Sequence, residues 1–257
     1  MKALVLAAGY ATRLRPLTDE TAKPLLELAG RPILDYVCDR IDEAAEVEEL
    51  HVISNARFAA DFERWAGARE GRLRPLVHDD GTSSNEERLG AIADMQLVIE
   101  RAGLERDDLL VVAGDNLFDF SLGAEVGFWH ERSEINHGDA VSCVAVQRCP
   151  DPERVSSYGV VELSAEGRIT DFIEKPECPA SNLIATAAYV FAHEHLALLG
   201  RYLEEGNSPD QPGNFLAWLY SREPVYGFVF EELWLDIGGH DQLRQADEIM
   251  RKRLRPA

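Results

Sequence analysis

Lysine is nearly missing from this 257-residue chain: Lys2, Lys23, Lys175 and Lys252 stand against 22 arginines and 46 acidic residues, for a formal charge of −20. A surface of that sign repels phosphate backbones, which argues against nucleic acid as a partner. Any bound anion must instead be met by a local cluster of cations. Cysteine is scarce too. Cys38, Cys143, Cys149 and Cys178 have no C-x-x-C spacing, which argues against a zinc ribbon or a disulfide framework; with no leader-like segment ahead of the first apolar run, the expectation is a reduced, cytoplasmic protein. No apolar run approaches the ~20 residues that cross a bilayer, so no membrane role is expected. No linker rich in Ser, Pro and Gly divides the chain, and its length suits one large domain, 1–257. A nicotinamide-binding turn would need G-x-G-x-x-G after the first strand, but Ala11 and Leu14 stand where the second and third glycines belong.

What is present is concentrated in the first 26 residues. Lys2 to Ala8 is a short apolar run of the kind that forms a buried parallel strand, and it ends at Gly9. Tyr10, Ala11, Thr12 and Arg13 follow, mostly small residues and then a hydroxyl and a guanidinium. A loop of that composition can wrap a phosphate chain, its backbone N–H groups pointing at the oxygens. Lys23-Pro24 comes ten residues after Arg13. In a chain that otherwise writes its positive charge as Arg, the two internal lysines both fall in Lys-Pro dipeptides, Lys23-Pro24 and Lys175-Pro176. A site that wants a compact ammonium rather than a planar fork would produce that choice.

Leu6-Ala7-Ala8-Gly9-Tyr10-Ala11-Thr12-Arg13-Leu14-Arg15-Pro16-Leu17-Thr18, followed by Lys23-Pro24-Leu25, resembles the signature of the NDP-sugar pyrophosphorylases, the sugar-1-phosphate nucleotidylyltransferases. Within that family the pattern resembles the glucose-1-phosphate thymidylyl- and uridylyltransferases. One position departs. Ala11 replaces the usual second glycine, so a backbone with φ > 0 there would cost about 1 kcal/mol. The resemblance implies a Rossmann-like, mainly parallel sheet with helices on both faces and a small antiparallel sugar-binding part. It also implies Mg²⁺-dependent joining of a nucleoside triphosphate, dTTP or UTP, to a sugar phosphate, glucose 1-phosphate.

Periodicity along the chain agrees with such a fold. Helical stripes at 33–45 and 58–65 alternate with strand-like runs at 50–54 and 73–77. His78 to Asn85 is a polar loop, and a helix is expected from Glu86 to about Arg101, with Ser84 or Asn85 as its cap. In the family this segment reads the nucleobase with a glutamine and a glycine. Gly90 matches the glycine, no glutamine matches the other, and the base is left open. Leu109 to Ala113 reads as a buried strand ending in Gly114-Asp115, where an open α/β sheet binds ligands. Taken alone, Asp115 suits a helix cap or turn better than a metal; the family's metal-binding Gly-Asp stands in this position, and the resemblance reverses that balance.

A helix over 121–132 and a strand over 140–146 come next, and then the grammar changes. Tyr158 to Glu162 and Arg168 to Phe172 flank Ala165-Glu166-Gly167 as an antiparallel hairpin. By resemblance, Tyr158 and Gly159 border the sugar, Glu174 contacts its hydroxyls and Lys175 its phosphate, while the bland alternative for Glu174-Lys175 is an exposed ion pair. A strand is expected over 181–191. Asn182 and Thr186 within it match the family's sugar-pocket stretch, and Ala187 replaces a glycine. Helices are expected over 194–204, 214–221 and 239–252, and the spaced pair His193 and His195 reads as surface. Trp234-Leu235-Asp236 matches the segment carrying the second metal carboxylate.

Residues 1–146 are thus expected mainly to bind nucleotide, through Leu6, Ala8, Gly9, Tyr10, Ala11, Thr12, Arg13, Lys23 and Gly90, and 147–257 mainly the sugar phosphate. Arg13, Lys23, Asp115 and Lys175 carry the chemistry, and Asp115 and Asp236 hold the Mg²⁺. A homo-oligomer is compatible with the sequence. Two alternatives stay open: a cytidylyltransferase using inositol phosphate or phosphocholine, suggested by the unusual 78–89 loop, and a catalytically silent regulatory subunit of the same fold.

Overall fold

The computed structural model describes residues 1–254. Its strands are β1 (Lys2–Leu6), β2 (Glu27–Leu28), β3 (Arg31–Pro32), β4 (Glu49–Ser54), β5 (Pro75–Asp79), β6 (Leu109–Ala113), β7 (Asn116–Phe118), β8 (Ser142–Arg148), β9 (Gly159–Leu163), β10 (Ile169–Glu174), β11 (Leu183–Phe191), β12 (Val225–Phe230) and β13 (Trp234–Asp236). The helices are α1 (Ile33–Glu43), α2 (Ala59–Ala68), α3 (Ala91–Ala102), α4 (Leu122–Ile135), α5 (His193–Leu196), α6 (Leu199–Glu204), α7 (Pro212–Leu219) and α8 (His240–Leu254).

Nine strands share one sheet. β1 lies between β4 and β6, all parallel, and β5 adds to β4 in parallel. The near-continuous Val, Leu and Ala of β1 and β6 follow from burial on both faces. One face carries α1, α2 and α4 over Leu34, Ile41, Phe62, Phe120 and Trp129. The other carries α3, α6 and α7 over Ile92, Met95, Phe191, Tyr202 and Phe215. Each such side chain fully removed from water stabilises the fold by about 1.5–3 kcal/mol.

β11 sets the geometry of everything that follows. One of its edges pairs antiparallel with β8. Along the other, Ile184 and Ala185 pair with β9, and Ala188 to Phe191 pair with β6. Between them the register shifts and the sheet forks. The hairpin of β9 and β10 therefore joins the main sheet on one side of the fork, as its expected small antiparallel part.

Several expected boundaries move. The helix expected from Glu86 begins at Ala91, and neither Ser84 nor Asn85 caps it. Gly90, at φ 93° and ψ 151°, takes that place, held because Ile92 N donates to Pro209 O at 2.9 Å, a long-range contact that local pattern cannot reveal. The helix expected over 194–204 is two short helices broken after Leu196. His195 is buried, not surface. Its Nδ1 meets Ser142 Oγ at 2.8 Å, while His193 sits with Asp108 and Glu194 close enough to offer a common ligand set. That contact has a bland cause: Asp108 Oδ1 accepts both His193 N and His193 Nδ1, closing the start of α5.

Candidate active site

The carboxyl ends of β1 and β6 and the fork in β11 border one cleft with two lobes. The first, of about 420 Å³, is lined by Leu6 to Ala11, Lys23, Asp80, Gly90, Asp94 and residues 210–212, among others. The second, of about 200 Å³, is lined by Tyr158, Gly159, Glu174, Lys175, Trp234 and Asp236, among others. Asp115, Ala187 and Gln211 border both.

The first lobe is floored by the loop after β1. Ala7 N donates to Ile53 O at 3.0 Å and Gly114 N to Leu6 O at 2.9 Å. A Cβ on Gly114 would lie 3.0 Å from Val5 Cγ1 and 3.2 Å from Leu6 O, so the β6 turn can approach β1 only without one. Asn55, buried at the end of β4, donates through Nδ2 to Ala8 O at 2.9 Å, a support the sequence reading missed. Ala11 does adopt the left-handed conformation, at φ 44°. Its carbonyl accepts Leu14 N at 3.0 Å and Thr18 Oγ1 at 2.9 Å, and each such bond offsets about 0.5–1.5 kcal/mol of the strain.

Lys23 is 8% exposed and donates to Asp115 Oδ2 at 2.7 Å. Asp236 is brought beside this pair because β13 runs antiparallel to β7, with Asp236 opposite Asn116. Burial raises the Asp236 carboxyl above its ordinary range and the Asp115 charge raises it further, while Lys23, Arg154 and Arg13 pull it back. Two carboxylates that repel each other, flanked by cations, form a hard oxygen donor set of the kind Mg²⁺ takes. Asp115 and Asp236 therefore fit a divalent ion.

In the second lobe Glu174 occupies space left by two glycines. A Cβ on Gly213 would lie 2.4 Å from Glu174 Oε2, and one on Gly159 2.9 Å from it. Burial raises the Glu174 carboxyl, and neighbouring Lys175 lowers it. Lys175, which lines the second lobe, donates through Nζ to Gln211 Oε1 at 2.7 Å, and Gln211 borders both lobes.

Of the residues expected from sequence, Leu6, Ala8, Gly9, Tyr10, Ala11, Lys23, Gly90 and Asp115 line the first lobe, and Asp115, Tyr158, Gly159, Glu174, Lys175 and Asp236 the second. Thr12 and Arg13 are exposed on the turn after Ala11 and line neither, although Arg13 is near enough to act on Asp236. Two expectations are corrected. Thr186 is fully buried and donates to Ala145 O at 2.9 Å: Ala185, Ala187 and Tyr189 line the cleft, and strand alternation turns Thr186 to the opposite face. Asn182 is exposed outside the lining, its Oδ1 accepting Arg148 Nη1 at 2.9 Å. Asp80, Asp94, Asp210 and Gln211 were missed. The last two belong to the 147–257 part of the chain yet line the first lobe, so both parts of the chain contribute to it.

A nucleotidyl transferase family model matches residues 2–253. The chain is 33% identical over 191 residues to the UTP–glucose-1-phosphate uridylyltransferase AglF of Haloferax volcanii, covering 74% of this chain and 72% of that protein. It is 30% identical over 240 residues to the mannose-1-phosphate guanylyltransferase catalytic subunit beta of Danio rerio, covering 93% and 61%. To the bifunctional protein GlmU of Methanocaldococcus jannaschii it is 25% identical, over 97% of this chain and 54% of that one, so the chain spans little more than half of that relative. Two solved structures share the fold: a putative glucose-1-phosphate thymidylyltransferase from Bacillus anthracis (TM-score 0.80, 21% identity, 100% and 98% covered) and a UDP-glucose pyrophosphorylase complexed with UDP-glucose (0.81, 20%, 98% of each). This chain belongs to the nucleotidyl transferase family.

Proposed function

We propose that the cleft joins a nucleoside triphosphate, held in the first lobe, to a sugar 1-phosphate, held in the second, releasing pyrophosphate. The observation that carries this is the convergence of Lys23, Asp115 and Asp236 where the two lobes meet. A phosphate oxygen of the sugar 1-phosphate attacks the α-phosphorus in line, and the bond from that phosphorus to the α,β-bridging oxygen breaks, leaving with the pyrophosphate. The attacking oxygen is already ionised near neutral pH, so the chain has to position and neutralise rather than deprotonate.

Lys23 draws charge from the α-phosphate, Arg13 steadies the departing pyrophosphate, and Lys175, tethered by Gln211, orients the acceptor phosphate. The backbone from Gly9 to Thr12 receives the triphosphate, Gly90 borders the base, and Tyr158, Gly159 and Glu174 the sugar. Asp115 and Asp236 would hold Mg²⁺, which when bound supplies charge neutralisation on the phosphates. Residues up to 146 serve mainly the nucleotide and 147–257 mainly the acceptor, within a single domain that works in the cytoplasm, alone or as a homo-oligomer.

Resemblance alone favours dTTP or UTP with glucose 1-phosphate, but in the family that base choice involves a glutamine this chain does not have. A second acceptor class is kept because Tyr158, Phe172, Tyr189 and Trp234 border the second lobe beside Glu174, a lining that also suits a choline headgroup. The test is pyrophosphate release with Mg²⁺ across five nucleotides and a panel of sugar, inositol and choline phosphates. One productive sugar 1-phosphate pair, lost in Asp115→Asn with the fold retained, is the expected result. Failure of every pair, or near-normal turnover in Asp115→Asn, overturns the proposal.

A further inference from the structure

The first lobe contains a carboxylate that the mechanism does not use. Asp94 lies in the opening turns of α3, below Gly90, and is 6% exposed. Its Oδ1 is buried and has no hydrogen-bond partner among the described residues, yet the residue lines the lobe. Leaving such an atom unpaired is costly unless something else meets it. Neighbouring Asp80 is, by contrast, fully engaged: Oδ1 accepts Thr82 N at 2.7 Å, Oδ2 lies 3.0 Å from Thr82 Oγ1, and that hydroxyl meets Tyr10 OH at 3.0 Å. Asp210 adds a third carboxylate to the lining, and Arg88, the guanidinium beside it, is already paired with Asp210 at 3.3 Å and with Asn85 O at 3.0 Å. None of these groups borders the second lobe, whereas the cations Lys23 and Lys175 gather at or beyond the Asp115 junction. In the part of the first lobe away from the phosphate chemistry, Asp94 Oδ1 is therefore a buried acceptor without a partner among the described residues, beside carboxylates already engaged by Thr82 and Arg88.

Resting on the nucleotidyl-transfer reading, we infer that Asp94 selects the nucleobase, favouring one with an amino group on its pairing edge (guanine, cytosine or adenine) over uracil or thymine. A carboxylate only accepts. Guanine offers N1–H and N2–H₂ side by side, and cytosine and adenine each offer an exocyclic amino group. Uracil and thymine present one N–H between two carbonyl oxygens, so either carbonyl brought against the ionised Asp94 carboxylate is repelled. Burial together with the Asp80 charge raises the Asp94 carboxyl to about 7, so the discrimination by a pure acceptor applies above that pH, where the group is ionised. This choice runs against the dTTP or UTP that resemblance favours.

The test pairs pyrophosphate release with calorimetric binding of GTP, CTP, ATP, UTP and dTTP to the wild-type chain, Asp94→Asn and Asp94→Ala, each checked for fold by circular dichroism. The expected result is an amino-bearing base preferred over UTP and dTTP by about ten-fold or more in kcat/KM or affinity, narrowing or reversing in Asp94→Asn, whose amide can donate to a carbonyl. Preference for UTP or dTTP in the wild type, or an equal loss for all five nucleotides in Asp94→Asn, overturns the inference. If no pair turns over while binding still ranks the bases through Asp94, the transferase reading fails and the base inference stands. If binding shows no ranking, the base inference fails on its own.

Discussion

Replacing Gly90 by alanine tests the joint that holds α3 against the 209–212 segment. At φ 93° and ψ 151° the backbone occupies a region essentially reserved for glycine, and forcing alanine there costs about 1–3 kcal/mol. The new Cβ would also stand 2.6 Å from Pro209 O, 2.7 Å from Pro209 C and 3.0 Å from Asp210 Cα, all backbone atoms that cannot swing aside. Moving them apart breaks the bonds from Ile92 N to Pro209 O and Ala91 N to Asp210 O, at about 0.5–1.5 kcal/mol each. The expected loss is about 2–6 kcal/mol, on the order of 10 °C in Tm for a domain of this size. Gly81 is the control. It lies in the preceding loop at φ 82° with nothing within 4 Å of its added Cβ, so Gly81→Ala should lose only about 1 kcal/mol. Thermal and urea unfolding measure both variants, and nucleotide kcat/KM should collapse for Gly90→Ala alone, since Asp210 and Gln211 line the lobe. Equal losses in the two variants would refute the reasoning.

Ala187 is expected to tolerate little growth: because it borders both lobes, Ala187→Leu should depress kcat/KM for both substrates at least about ten-fold while Tm moves little, and unchanged kinetics would mean that the fork is not the meeting point. Chelation with EDTA should abolish pyrophosphate release and added Mg²⁺ restore it; persistence in EDTA would count against a divalent ion at Asp115 and Asp236. Glu125 supplies a pH signature. It is fully buried in α4 with Oε2 unpartnered, and burial raises its carboxyl from 4.5 to about 8. The folded chain thus holds this proton more tightly than the unfolded one, so its stabilising effect is complete below about pH 4.5 and is lost as pH rises through about 8. Glu125→Gln should therefore gain on the wild type across that window, by on the order of 5 kcal/mol before any cost of an unpaired amide. Urea midpoints that do not diverge with pH would exclude this account.

The parallel strands were legible because a short apolar run such as Ala3-Leu4-Val5-Leu6 cannot be mistaken for surface, and the hairpin over 159–174 because Glu166-Gly167 punctuates it. Asp115 and Asp236 were legible only through resemblance, since neither spacing nor charge brings residues 121 positions apart together; the β7–β13 ladder does. Asp94 and Asn55 were invisible for another reason. A polar residue in a helix or at a strand end reads as solvated, and only the folded structure reveals that Asp94 is enclosed and that Asn55 holds Ala8 O. The start of α3 was misplaced because its anchor comes from Pro209, more than a hundred residues away.

β11 lines the second chamber through Ala185, Ala187 and Tyr189 and touches the first at Ala187, so one strand's backbone bears on how far apart the two reacting partners sit. Extended chain rises about 3.3 Å per residue and resists stretching, which makes this strand a fixed ruler rather than a hinge. Rings of different shape could be exchanged at the far end of that ruler. An acceptor whose phosphate is carried one methylene further from its ring would instead arrive out of line, however well the ring itself were held.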